Sequence, residues 1–154
     1  MEGTNNICSG MRISNNQLGP AGQPPSNPSN QLQVSRGELL IPRRPLTRLL
    51  QGEWADGISL GCQKATVTGN TIVDATDGGI VIFGSPGSLV QGNTVLQQTR
   101  QVMGGINMVD TTLFGGSYEG VIVAENTFNA ESSFIKVGIA MGPSESNATS
   151  LHSR

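Results

Sequence analysis

Apolar and polar residues alternate along short stretches of this chain, and two alternating phrases recur. The first has an apolar residue, an Asn three positions later and a second apolar residue two beyond it. It occurs at Ile13, Asn16 and Leu18, at Val67, Asn70 and Ile72, at Val90, Asn93 and Val95, and at Val123, Asn126 and Phe128. The second is a Gly-Ile pair with another apolar residue two positions on: Gly57 to Leu60, Gly79 to Ile82, Gly105 to Met108 and Gly138 to Met141. Apolar residues that recur at two, not at three and four, predict strands and exclude helices. Ile58, Leu60, Ile80, Ile82, Ile106, Met108, Ile139 and Met141 then face inward as one stack, with Ser59 facing out. Ile13, Val67, Val90 and Val123 form a second stack, and Leu18, Ile72, Val95 and Phe128 a third. The Asn between the last two stacks sits at a bend. Asn tolerates left-handed backbone angles and bonds neighbouring backbone groups, so these four residues are expected to align as a ladder.

Spacing turns the phrases into an architecture. Cys8, Ile13, Asn16 and Leu18 map onto Cys62, Val67, Asn70 and Ile72 with one shift of 54 residues, and the next Asn phrases follow after 23 and 33. The Gly-Ile phrase steps by 22, 26 and 33. A coil of about 22 residues with loop insertions accounts for all these values. A propeller blade needs about 40 residues per repeat, and the Leu-x-x-Leu-x-Leu frame of leucine-rich repeats is absent. The fold class is therefore all-β, a parallel β-helix solenoid of about three to four coils. Residues 1–18 form a first coil, 19–52 an insertion, 53–142 further coils and 143–154 a disordered Ser-rich tail. The sequence opens near the start of a coil and neither end resembles a cap, so it reads as a piece of a longer β-helix.

Composition agrees. Charged residues make up 13% and aromatics 4%, too few for the surface and core of a helical bundle, while 21 Gly suit many tight turns. A net charge of −2 gives no field to draw nucleic acid. No stretch approaches eighteen consecutive apolar residues, so no membrane span is predicted. No signal peptide is visible at the start.

The paired phrases resemble the repeats of right-handed parallel β-helix proteins of the pectin-lyase-like kind, over about residues 3–18 and 56–142. The resemblance lies in scaffold and pattern. It implies an extracellular or secreted parent protein that binds or cleaves a polysaccharide, as a glycoside hydrolase or polysaccharide lyase. The polygalacturonase motifs Asn-Thr-Asp, Asp-Asp, Gly-His-Gly and Arg-Ile-Lys do not carry over. This chain has Asn70-Thr71-Ile72 and Phe134-Ile135-Lys136, and its only His, His152, lies in the tail. Arg100 is the nearest coil-associated candidate for a lyase-type base.

Candidate chemistry gathers at the coil edges. Asp56 and Asp77 precede Gly-Ile strands of consecutive coils, and Asp74 lies three residues before Asp77. Neighbouring carboxylates raise one another's pKa, which separates a general acid from a base or nucleophile in glycoside hydrolysis. Hard oxygen ligands of this kind also suit calcium. Lys136 falls in the register column of Asp77, and Trp54 offers a face for stacking a sugar, so both are substrate-binding candidates. Against this, Asp before Gly is an ordinary turn residue. Cys8 and Cys62 share a register position on neighbouring coils, where strands lie ~4.8 Å apart. A disulfide is within reach, and two buried thiols in an inward column fit equally well. Two Cys with no His in the coils make no zinc site. Four Arg interleaved with Leu between residues 36 and 50 read as a basic lid or as a surface excursion covering a coil edge. Asn107 is placed on an outward strand face with Ser59, Val81 and Ala140. Asn147 heads an Asn-x-Thr glycosylation sequon in the tail. The alternatives to a glycan-active module are a non-catalytic structural or adhesion repeat and a truncated fragment without independent activity.

Overall fold

A computed structural model describes residues 8–23, 54–113 and 115–142. Most of the insertion, including its Arg and Leu residues, and the Ser-rich tail with its sequon lie outside the described residues. Twelve short strands follow one another: β1 (Arg12–Ser14), β2 (Gln17–Leu18), β3 (Ile58–Leu60), β4 (Thr66–Thr68), β5 (Thr71–Val73), β6 (Gly78–Ile82), β7 (Leu89–Gln91), β8 (Thr94–Gln97), β9 (Val102–Met108), β10 (Ile122–Ala124), β11 (Thr127–Ala130) and β12 (Ile135–Met141). They form three four-stranded parallel sheets. The first is ordered β1-β4-β7-β10, the second β2-β5-β8-β11 and the third β3-β6-β9-β12. Each turn of the chain contributes one strand to every sheet, which is the predicted parallel β-helix.

The pairing register is the one the repeats dictate: Ile13 beside Val67, Val67 beside Val90, Val90 beside Val123. Ile72 stands between Leu18 and Val95 in the second sheet. Leu60, Val67, Ile72, Ile80, Ile82, Val90, Val95 and Ile106 are wholly buried. Each such side chain contributes about 1.5–3 kcal/mol. The turns between third and first sheets are closed by buried hydroxyls. Ser85 Oγ donates to the Leu60 carbonyl, and Ser88 Oγ accepts from the Ala65 N–H while donating to the Cys62 carbonyl.

The bend between first and second sheets holds the expected ladder. Asn16 Nδ2 reaches Asn70 Oδ1 at 2.9 Å, Asn70 Nδ2 reaches Asn93 Oδ1 at 2.9 Å, and Asn93 Nδ2 reaches Asn126 Oδ1 at 3.0 Å. The backbone N–H of each donor residue bonds the same oxygen, and Nδ2 also bonds a backbone carbonyl: Ser14 for Asn16, and Ile13 and Val67 of the coil before for Asn70 and Asn93. One detail differs from expectation. The left-handed angle falls on the residue before each Asn: Asn15, Gly69, Gly92 and Glu125, with φ of 56°, 64°, 63° and 56°. Placing the turn one residue earlier leaves the Asn backbone N–H pointing along the axis, where it can join the ladder.

Cys8 and Cys62 form a disulfide with a Cα–Cα distance of 5.0 Å across 54 residues, which decides between the two readings of that pair. It staples the first coil to the second beside the Ser9–Gln63 bridge and closes the loop containing the insertion.

Two stability outcomes follow from these links. Replacing both Cys by Ser lowers stability by about 4 kcal/mol on the loop-entropy relation for a loop of this length, measured by urea unfolding. An unchanged midpoint contradicts the staple. Asn93→Ala strands the buried N–H groups of Asn70 and costs roughly 2–3 kcal/mol. Asn16→Ala, at the exposed end of the ladder, costs distinctly less, and equal costs contradict the ladder's role.

Candidate functional site

The third sheet and the turn that feeds it from the second carry the charged candidates. Asp74 occupies a left-handed position at φ 52° just after β5. Its carboxylate is buried and points at the corresponding turn of the next coil. Oδ1 accepts the backbone N–H groups of Gln98, Thr99 and Arg100 at 2.8, 3.0 and 3.2 Å, and Oδ2 accepts Thr99 Oγ1 at 2.6 Å. Burial acts to raise its pKa, but these hydrogen bonds together outweigh burial and hold the carboxyl below its ordinary value. Asp74 is thus a loop clamp. The expectation that it shares an open acidic edge with Asp77 does not match its bonding. Arg100, held by that clamp, extends its guanidinium to the Gly22 carbonyl.

Asp56 and Asp77 do come together, ahead of β3 and β6. Asp56 Oδ1 accepts the Gly78 N–H at 3.1 Å and Oδ2 accepts Ser59 Oγ at 2.7 Å. Burial pushes its pKa up and the Asp77 charge adds to that, against the opposing pull of the Ser59 and Gly78 hydrogen bonds. Asp77 is exposed, and its backbone is held from both sides. Its N–H donates to the Ala55 carbonyl, and its own carbonyl accepts from Met103 and Gly104. Lys136 stands in the same column, with Met103 between them. Two rungs separate Lys136 from Asp77, about 10 Å. Trp54 is 49% exposed just ahead of Asp56.

The residue that sequence reasoning passed over is Asn107. On the outward register column Ser59–Val81–Asn107–Ala140, it is nevertheless only 6% exposed, and its Oδ1 has no hydrogen-bond partner. The reason is local. Gly104 and Gly78 lack side chains, so the Asn107 amide lies flat across both rungs. A Cβ at Gly104 would stand 1.8 Å from Asn107 Oδ1. One at Gly78 would stand 3.2 Å from Asn107 Nδ2 and 3.3 Å from Asp56 Oδ1. Asp56 and Asn107 therefore flank the space that Gly78 leaves open, and three rungs contribute to one polar floor. The available signal was the doubled Gly at 78–79 and 104–105, at the start of β6 and inside β9.

A hollow of about 270 Å³ lies at the other end of this sheet between Met108, Val109, Asp110, Thr111, Tyr118 and Met141. Its polar groups are already engaged: Asp110 accepts the Thr112 N–H, and the Tyr118 hydroxyl bridges the Ile82 and Val109 carbonyls. Among the described residues no group of three or more His, Cys, Asp or Glu assembles as a metal site. The neighbouring carboxylates at the head of the third sheet are Asp56 and Asp77.

Asp74 and Asp56 respond oppositely to pH. Asp74, held below its ordinary value, contributes stability above about pH 3.8 that is lost as pH falls through its lowered pKa. Asp74→Asn therefore costs about 2–3 kcal/mol near neutrality, and the difference from wild type fades in acid. Asp56, raised, opposes folding when ionised, and that penalty shrinks as pH falls from its raised pKa towards 3.8. Asp56→Asn keeps an acceptor for Gly78 and is expected to unfold at or above the wild-type midpoint at pH 7. Thermal melts of both variants from pH 3 to 7 check this, and parallel profiles would contradict the assignments.

Comparison with curated proteins and with solved structures finds no match. A family model described as the right-handed β-helix region matches residues 53–154, about two-thirds of the sequence. With three in-register parallel sheets wound from the same chain, the protein belongs to the right-handed β-helix family.

Proposed function

We propose that this β-helix module binds an extended glycan along the outer face of the third sheet, over the floor formed by Asp56, Asp77 and Asn107. The observation that carries the reading is a pair of polar groups kept at a cost to folding. Asp56 is a partly desolvated carboxylate next to a second acid, and Asn107 buries an amide oxygen with no partner. Groups of this kind persist where a ligand completes their bonding. Sugar hydroxyls can donate to the carboxylate oxygens of Asp56 and Asp77, whereas the covered Asn107 oxygen is reached only if its amide turns outward. The parallel rungs repeat at ~4.8 Å, so a linear chain can lie across several of them. Trp54 offers an exposed face for stacking just ahead of Asp56, and Lys136 a cation for an acidic sugar.

If the module cleaves its glycan, the raised carboxyl of Asp56 is the proton donor and Asp77 the partner carboxylate. In elimination, calcium held by these oxygens would acidify the sugar α-proton. Asp74 takes no part, since its oxygens are occupied by the 98–100 turn. The disulfide supports an oxidising compartment, in keeping with a secreted parent protein.

The test is a thermal melt with and without calcium across acidic and neutral polysaccharides. A ligand at a hundredfold over its dissociation constant adds about 2.7 kcal/mol of stability, and Asp56→Asn with Asp77→Asn is expected to lose that gain while melting cooperatively. A cooperative transition that no polysaccharide moves rejects the glycan reading and leaves a structural or adhesion scaffold. A variant that responds as wild type does would remove these two acids from the site.

A further inference from the structure

The third sheet pairs two outward columns along its rungs. Gly78, Gly104 and Val137 share one, and Asp56 joins it by extension of the Ile58–Ile80 register. Ser59, Val81, Asn107 and Ala140 share the other, each three residues after its partner. On every rung a larger side chain faces a smaller one. Asp56 bonds Ser59, and Val81 leans over Gly78, where a Cβ would stand 2.3 Å from its Cγ2. Asn107 leans over Gly104 in the same way. Asp56 and Val137 show that the first column accepts side chains, and neither Gly78 nor Gly104 has a left-handed backbone. What a side chain at Gly104 would meet is the Asn107 amide: the three atoms nearest a Cβ there are its Oδ1, Cγ and Nδ2, at 1.8, 2.6 and 2.8 Å.

Covering a glycine suits Val81, which is apolar and buried. It suits Asn107 poorly. Its Oδ1 is buried with no partner, a cost that an apolar side chain of similar shape avoids. Packing therefore explains a side chain at 107 and leaves the amide unexplained. Rotation about the Cα–Cβ bond lifts that amide off the glycines onto the face where Asp77 and Met103 are exposed. There its oxygen and its nitrogen both become available.

Resting on the glycan reading above, we propose that Asn107 is a movable binding residue. Folded over Gly104 in the free protein, it turns outward to hold a sugar through two neighbouring hydroxyls, accepting through Oδ1 and donating through Nδ2. An uncharged donor–acceptor pair matches hydroxyls, whereas a carboxylate only accepts. The third rung therefore takes an uncharged stretch of the glycan, one rung on from Asp77.

Calorimetric titrations with galactomannan, and with polygalacturonate plus calcium, test this. Asn107→Val puts on this rung the residue that the rung before already carries. It is expected to melt at or above the wild-type temperature yet bind about tenfold more weakly, as the loss of two neutral hydrogen bonds predicts. Gly104→Ala drives the amide outward in the free protein. It is expected to bind at least about threefold more tightly, because the competent state no longer has to be drawn from a covered one. Gly104→Ala with Asn107→Ala is expected to bind as weakly as Asn107→Val. Wild-type affinity in Asn107→Val, or no gain in a folded Gly104→Ala, overturns the proposal and leaves the glycan reading standing. If Gly104→Ala does not fold, Asn107→Val decides alone. A wild type that binds neither polysaccharide rejects the glycan reading and this proposal with it.

Discussion

Hydrogen bonding along the solenoid axis is the constraint on which the rest of this molecule depends. Among the described residues no strand exceeds seven residues and several have two or three, far too few to persist without neighbours. What they have is equivalent strands of adjacent coils alongside, reached by parallel backbone pairing and by a side-chain ladder at the bend between the first and second sheets. The ladder matters because it is buried. Asn70 and Asn93 are each 1% exposed, and polar groups so placed must find partners or destabilise the fold. Each finds its partner only when the next rung is in register. A shift of one residue would break the ladder and turn the apolar columns outward.

That same register builds the candidate site. Asp56, Asp77 and Asn107 come from three different coils, yet they converge because the third sheet aligns Asp56 with Gly78 and Gly104, and Ser59 with Val81 and Asn107. Missing side chains contribute as much as present ones. Gly78 and Gly104 leave the floor on which the Asn107 amide lies. A loop that lengthens the turn between β9 and β10 leaves this face unchanged, since loops enter between rungs without altering the pairing.

The acidic residues illustrate how one residue type takes different tasks. Asp74 has its oxygens filled by the next turn and is held ionised, so it acts as a structural rivet. Asp56 is held with its ionised form disfavoured, next to an exposed acid and a half-satisfied amide. The difference is geometric. One carboxylate meets converging N–H groups, and the other meets a hydroxyl, one N–H and a like charge.

Period-two alternation and the offsets of 54, 23 and 33 determined the fold class, the three inward stacks, the Asn ladder and the pairing of Cys8 with Cys62 in one column. Those are consequences of repetition, and repetition is visible in one dimension. The tertiary structure alone decided that the left-handed turn residue precedes the Asn, that the cysteines bond, that Asp74 belongs to the turn at 98–100, and that Asn107 is buried on an outward face. Each of these depends on distances between atoms of different rungs: where an N–H points, how far apart two sulfurs lie, what space a glycine leaves. A register shift places residues in a column, but only the packed backbone determines whether their side chains meet.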